Sequence, residues 1–291
     1  MASIDYRSAP SVKSVHLILL IFSLGAKLTD SARIFTIIND CNETIWPAVT
    51  PGDYFDGGGF PLKPAQSIVF TAPVGWVGRI WARTGCKFDK TGNGTCQTGS
   101  CGTSLQCKAS GNPPATLAEF SLSVLDYYDV SLVDGFNLPL VVTPIDGVGN
   151  CSVVGCDHDL RDSCPAELAQ MAGGKTVACR SACDVFGTDE YCCKGVYGNP
   201  VLCHATYYSK LFKDACPTAY SYAYDDPTSI ATCSGTDYVL AFCSSRNQTV
   251  CTYYNHKLRC SVTGTGSSKA LPIRRWHLLF VVTLLGLTVH L

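Results

Sequence analysis

The chain has 291 residues, with 22 Lys or Arg against 23 Asp or Glu, 18 cysteines, 46% apolar and only 15% charged residues. Near neutrality leaves no basic footprint for nucleic acid, and so apolar a chain is not a disordered one. The cysteines all fall between Cys41 and Cys260, more thiols than a reducing compartment keeps free, so an oxidising, extracellular destination is expected.

The first element is a leader. Arg7 and Lys13 precede the apolar run Val15 to Leu24, which is the length of a signal-peptide core and too short for a membrane span. Residues 1–31 are therefore expected to be removed, with Thr29 at the −3 position and Ser31 before the cut. The body then begins with strand-like segments rich in β-branched and aromatic residues at 33–38, 67–70 and 78–83. A longer β-rich stretch from Thr116 to Ile145 is broken by Asp134-Gly135 and Pro139, as consecutive strands with tight turns would be. Together these predict an all-β sandwich. From Cys151 onward the texture changes to cysteine-rich, loop-rich sequence, in which Pro165–Met171 and Tyr207–Lys213 are the two helices predicted. Such a region has little core of its own and needs disulfides to hold it against the sandwich.

The end of the chain repeats the message of its beginning. Trp276 to Leu291 is almost wholly apolar but 16 residues long, short of a spanning helix, and follows Arg274-Arg275. Thr263 to Ser268 supplies small residues and a polar spacer follows, the layout of a lipid-attachment signal in which Ser267 or a close neighbour is the attached residue. A short membrane anchor and a vacuolar or vestigial tail remain open. With 1–31 and the tail from 268 removed, 16 basic and 21 acidic side chains remain, which favours an acidic surface over attraction to anionic membranes. Asn42, Asn93, Asn150 and Asn247 each begin an Asn-X-Ser/Thr acceptor, the one with cysteine in the middle being the weakest. The cysteines and scattered histidines do not have zinc-ligand spacing, and neither metal nor cofactor is expected.

Four stretches carry a family resemblance: Gly92 to Gly102, Pro113 to Phe120, Asp189 to Cys193, and Cys216 to Tyr222. They resemble the thaumatin-like proteins, the plant pathogenesis-related family 5, over about residues 33–243. The resemblance implies a mainly β fold, a flattened antiparallel β-sandwich with a disulfide-rich loop/helix lobe (about 156–216) and a small loop lobe (about 84–114) within a body of residues 32–246. It implies eight bridges: Cys41–Cys243, Cys86–Cys96, Cys101–Cys107, Cys151–Cys233, Cys156–Cys216, Cys164–Cys179, Cys183–Cys192 and Cys193–Cys203. Cys251 and Cys260, left over in an extension at 247–266 ahead of the attachment signal at 267–291, are expected to pair with each other.

The resemblance also implies a cleft with one Arg, one Glu and three Asp, associated with β-1,3-glucan binding, antifungal defence and, in some members, weak endo-β-1,3-glucanase activity. Residue matching assigns the acids to Glu119, Asp126, Asp129 and Asp225, and places Asn112 where the family arginine is expected and Ser100 where an Asp is expected. Glu119 is then the candidate general acid and Asp126 the base or nucleophile, since clustered carboxylates raise one another's pKa. Solvated strand-end charges are the alternative. Tyr127 and Tyr128 are candidates for stacking on sugar rings. Loss of the cation at Asn112 favours polysaccharide binding over turnover, by a monomer held to a membrane through lipid or a short tail; a slow glucanase and a receptor-like ectodomain are the alternatives.

Overall fold

The computed structural model describes residues 32–245 and, beyond them, the backbone of 249–254 and 257–262. The leader, Asn247, Ser267 and the apolar tail lie outside the described residues.

Ten strands form two five-stranded sheets. In chain order they are β1 (Arg33–Asn39), β2 (Trp46–Thr50), β3 (Ser67–Ala72) and β4 (Val77–Arg83). After a small hairpin, β5 (Lys87–Phe88) and β6 (Gly94–Thr95), come β7 (Leu117–Ser121), β8 (Asp126–Ser131), β9 (Leu140–Ile145) and β10 (Val154–Cys156). A second hairpin, β11 (Ala169–Ala172) and β12 (Lys175–Cys179), precedes helices α1 (Ala182–Phe186), α2 (Asp189–Cys192), α3 (Tyr207–Ala215) and α4 (Asp226–Ser229). The body closes with β13 (Ala231–Cys233) and β14 (Asp237–Phe242), and the extension forms a hairpin of β15 (Thr249–Tyr254) and β16 (Lys257–Val262). One sheet runs β10-β9-β14-β1-β3 and the other β13-β8-β7-β4-β2.

The sandwich is not purely antiparallel, as the resemblance had implied: β1 and β14 pair in parallel. Strands from opposite ends of the body need no hairpin between them and are free to run either way. Between the sheets lies an aromatic core in which Phe35 packs edge-on to Phe120 at 5.0 Å and stacks with Tyr238 at 5.5 Å. Alternation then dictates which residues leave that core. Ala118 and Phe120 of β7 and Tyr128 and Val130 of β8 point inward, so Glu119, Tyr127 and Asp129 face outward.

All eight implied disulfides form. The Cys251 and Cys260 side chains lie outside the described residues, although their backbones are register partners in the β15–β16 hairpin. The helix expected over Pro165–Met171 is instead a turn followed by β11. Gly173 and Gly174, both at positive φ, fold that strand back on β12, and the Cys164–Cys179 bridge clamps the hairpin. The expected helix at Tyr207 forms as α3, with a capping box between Thr206 and Ser209. The short α1 and α2, which sequence reasoning missed, are each capped by a left-handed residue.

The cysteine-rich segment docks through backbone. Phe136 and Cys179 exchange both N–H···O bonds, at 2.7 and 2.8 Å. Gly135, at φ +85°, makes the approach possible: a Cβ there would meet the Cys179 carbonyl oxygen at 2.8 Å. That turn sets the position of Asp134.

Candidate functional site

A cross-strand row of charges occupies the outward face of the second sheet. Arg79 of β4 is the register partner of Glu119 on β7, and Glu119 that of Asp129 on β8. Directly opposed residues bring their side chains together, and the Arg79 guanidinium reaches Glu119 Oε1 at 3.1 Å. From the other side come Asp134, on the Gly135 turn, Tyr220, on the segment leading into α4, and Asp226, the first residue of α4. Tyr220 donates its hydroxyl to Asp226 Oδ1 at 2.7 Å. These residues line a hollow of about 350 Å³, and a second of about 470 Å³ shares Arg79, Glu119 and Asp129 with it and continues past Ser121, Tyr127 and Ile230. The two form one polar groove.

Burial governs its electrostatics. Desolvation pushes the Asp129 carboxyl up to about 8, with the Glu119 charge adding to the rise and Arg79 opposing it. Its Oδ1 is buried without a hydrogen-bond partner in the protein. Glu119 and Asp134 are raised for the same first reason, again opposed by Arg79. Of the groove's acids Asp129 is raised furthest and is the one most readily protonated, while the groove as a whole offers mostly acceptors. No cluster of three metal-ligating side chains forms among the described residues.

The groove thus holds one Arg, one Glu and three Asp, but not the expected set. Glu119 and Asp129 are where the matching placed them, and Tyr127 is 46% exposed beside them. Asp126 is not in the cleft: three positions from Asp129 on one strand, it points to the opposite face. It is fully buried, takes hydrogen bonds from Arg33 Nε at 2.7 Å and Tyr238 at 3.1 Å, and cannot reach a substrate. Tyr128 is buried with it and donates to the Ser152 carbonyl at 2.6 Å. Asp225 turns inward to Lys213 Nζ at 2.8 Å and to Ser221, leaving its neighbour Asp226 to face the groove. Asn112 lies at the neck of the small loop lobe, its N–H bonded to the Ser100 carbonyl, and does not line the groove. The expected lack of a cleft cation is corrected by Arg79. Strand parity alone could have separated Asp126 from Asp129; the pairing of Arg79 with Glu119 required the sheet.

Residues 39–244 match the Thaumatin family. The chain belongs to that family. "Pathogenesis-related thaumatin-like protein 3.5" of Cryptomeria japonica is 52% identical over 218 residues, covering 74% of this chain and 91% of that protein. "Pathogenesis-related protein 5" of Arabidopsis thaliana is 48% identical over 238 residues, covering 80% and 99%. Among solved structures, a laminaripentaose-producing β-1,3-glucanase in complex with laminaritetraose aligns with a TM-score of 0.50 at 12% identity, over 72% of this chain and 98% of that one. At that identity the likeness of this Thaumatin-family chain is one of fold.

Proposed function

We propose that this Thaumatin-family protein is an extracellular, wall-facing defence protein that binds β-1,3-glucan or a chemically related polysaccharide in the groove. The observation that carries the reading is the Arg79–Glu119–Asp129 row laid along an open sheet face, with exposed Tyr127 at its edge. A neutral polysaccharide offers hydroxyls to these carboxylates as donors and to Arg79 and protonated Asp129 in turn. Tyr127, with Val77 and Ile230 beside it, gives the apolar face of a sugar ring a surface to lie on. The unmodified protein should sediment with insoluble β-1,3-glucan, and Glu119→Gln with Asp129→Asn should leave most of it in the supernatant. An unmodified protein that stays in solution refutes the reading.

Weak glucan hydrolysis is the second reading, and Asp129 favours it. A glycosidase pairs a protonated acid with an ionised carboxylate across the scissile bond, and Glu119 and Asp129 are direct cross-strand partners, which brings their side chains together. Asp129 would supply the proton and Glu119 the carboxylate. Release of reducing ends from laminarin by the unmodified protein, lost in Asp129→Asn, would establish it.

Secretion, N-glycans and lipid attachment complete the proposal. Asn42, Asn93 and Asn150 are exposed, and among the described residues no helix is long and apolar enough to cross a membrane. Phosphatidylinositol-specific phospholipase should release the protein from membranes; retention would favour a short peptide anchor.

A further inference from the structure

The cysteine-rich segment carries a cluster of four aromatic rings, of which Tyr208 packs against the core while Phe186 and Tyr207 are exposed. Its buried interior is made by Leu160, Leu168, Phe212 and the bridges of Cys156 and Cys179. At the margin of that interior, Phe186 at the end of α1 lies 5.4 Å from Tyr191 of α2 and 5.4 Å from Tyr208 of α3, and Tyr207 stands 5.3 Å from Tyr208. Phe186 is 41% and Tyr207 67% exposed. The Cys183–Cys192 bridge ties α1 to α2, and the Tyr208 hydroxyl is held by Glu167 at 2.9 Å. The ledge is therefore preorganised, and a ligand resting on it immobilises little.

Tyr191 and Tyr208 of this ledge line a hollow that neighbours the groove. Val133, beside Asp134, lines both the acidic hollow and a shallow one of about 30 Å³ that Tyr191, Tyr208 and Tyr222 enclose. The strip from Tyr220 to Ala223 borders both as well, Tyr220 and Ala223 on the acidic side, Ser221 and Tyr222 on the other. A chain lying along the carboxylates and leaving past Val133 would meet the Tyr191 and Tyr208 side of the ledge.

We propose that the Phe186–Tyr191–Tyr207–Tyr208 ledge is an outer stacking subsite for a polysaccharide whose central sugars occupy the acidic groove. The proposal rests on the glucan reading of the groove. Pyranose rings carry an apolar C–H face suited to exposed aromatic rings. A linear polymer long enough to reach both regions gains from both, whereas a short oligomer fills the groove alone.

The test is a ladder of β-1,3-linked glucose oligomers, from short to long, titrated by calorimetry into the unmodified protein and into Tyr207→Ala, Tyr207→Phe and Phe186→Ala. Affinity should rise with oligomer length in the unmodified protein. Tyr207→Ala and Phe186→Ala should lose roughly three- to tenfold for long oligomers, with short ones bound as before, and Tyr207→Phe should keep the gain. Thermal melts that match the unmodified protein's show that the exposed substitutions leave the fold intact. Binding without dependence on length, or a length gain that survives both alanine variants, overturns the ledge while leaving the groove as a glucan site. No binding of any oligomer by the unmodified protein overturns the groove reading and the ledge with it.

Discussion

Arg79 and Glu119 face each other across β4 and β7, with a guanidinium nitrogen 3.1 Å from a carboxylate oxygen, and Glu119 in turn faces Asp129 across β7 and β8. Three adjacent strands thus turn one cation toward two acids. Both side chains of the ion pair are about one-third exposed, so its worth to stability is small. Its effect is on protonation. Arg79 opposes the rise of Glu119, Asp129 and Asp134 alike, so Arg79→Gln should move the Glu119 and Asp129 titrations upward. Carboxyl carbon shifts followed against pH would show it, and titrations that stay in place would refute the role given to Arg79.

Asp129 makes stability depend on pH. Its folded pKa, about 8, lies above the ordinary 3.8. As pH rises the unfolded chain loses this proton first, so between about 4 and 8 the folded state binds more protons and stability falls; below and above that window the contribution is flat. Asp129→Asn removes the effect. The melting temperature of the variant relative to the unmodified protein should climb between pH 5 and pH 8, and parallel pH profiles for the two would count against the assignment.

Asp126 belongs to the architecture. Fully buried, it accepts from Arg33 of β1, Tyr238 of β14 and the Ser123 N–H, tying the two sheets together. Asp126→Ala removes a buried carboxylate that takes hydrogen bonds across the two sheets and faces the Arg33 guanidinium, which should cost about 3–5 kcal/mol. Denaturant unfolding would measure this. The folded fraction should bind glucan as the unmodified protein does, since residue 126 does not reach the groove; a selective binding defect at unchanged stability would contradict its placement.

Lys213 holds the far wall. Its ammonium group contacts Asp225, the Ala219 carbonyl and Ser229, fixing the segment that presents Tyr220 and Asp226. Lys213→Met should cost about 2–3 kcal/mol, below the full range for a buried pair because Lys213 is partly open to water. Glucan affinity should fall with it. A variant that unfolds earlier yet binds unchanged when folded would show that this wall does not contribute to the site.

Cys251 and Cys260 stand opposite each other in a hairpin that follows β14. Serine at both positions should leave the melting of the body nearly unchanged, because a bridge closing so short a loop adds at most about 2–3 kcal/mol and only to local structure. A large drop in melting temperature would reveal a partner within the body.

The sequence by itself determined the class of this protein and its covalent frame. Strands at 33–38, 67–70 and 78–83 were legible because β-branched and aromatic runs bounded by Gly and Pro are local signals, and the bridges because several motifs in fixed order carry the family with them. Pro165–Met171 misled for a local reason too: its residues favour helix, and only the clamp of Cys164 to Cys179 and the pairing with β12 made it a turn and strand. The site was half legible. Glu119, Asp129 and Tyr127 stand out as outward positions of strands, but Arg79 lies 40 residues from Glu119 in the chain, and no periodicity ties the two. Register did that. Likewise Asp225 and Asp226 are indistinguishable as neighbouring acids until Lys213 draws one inward. Composition sets how many carboxylates a chain owns; the sheet and the loops packed on it decide which are neutralised in the core and which share an open groove, because that outcome depends on desolvation and on contacts between residues remote in sequence.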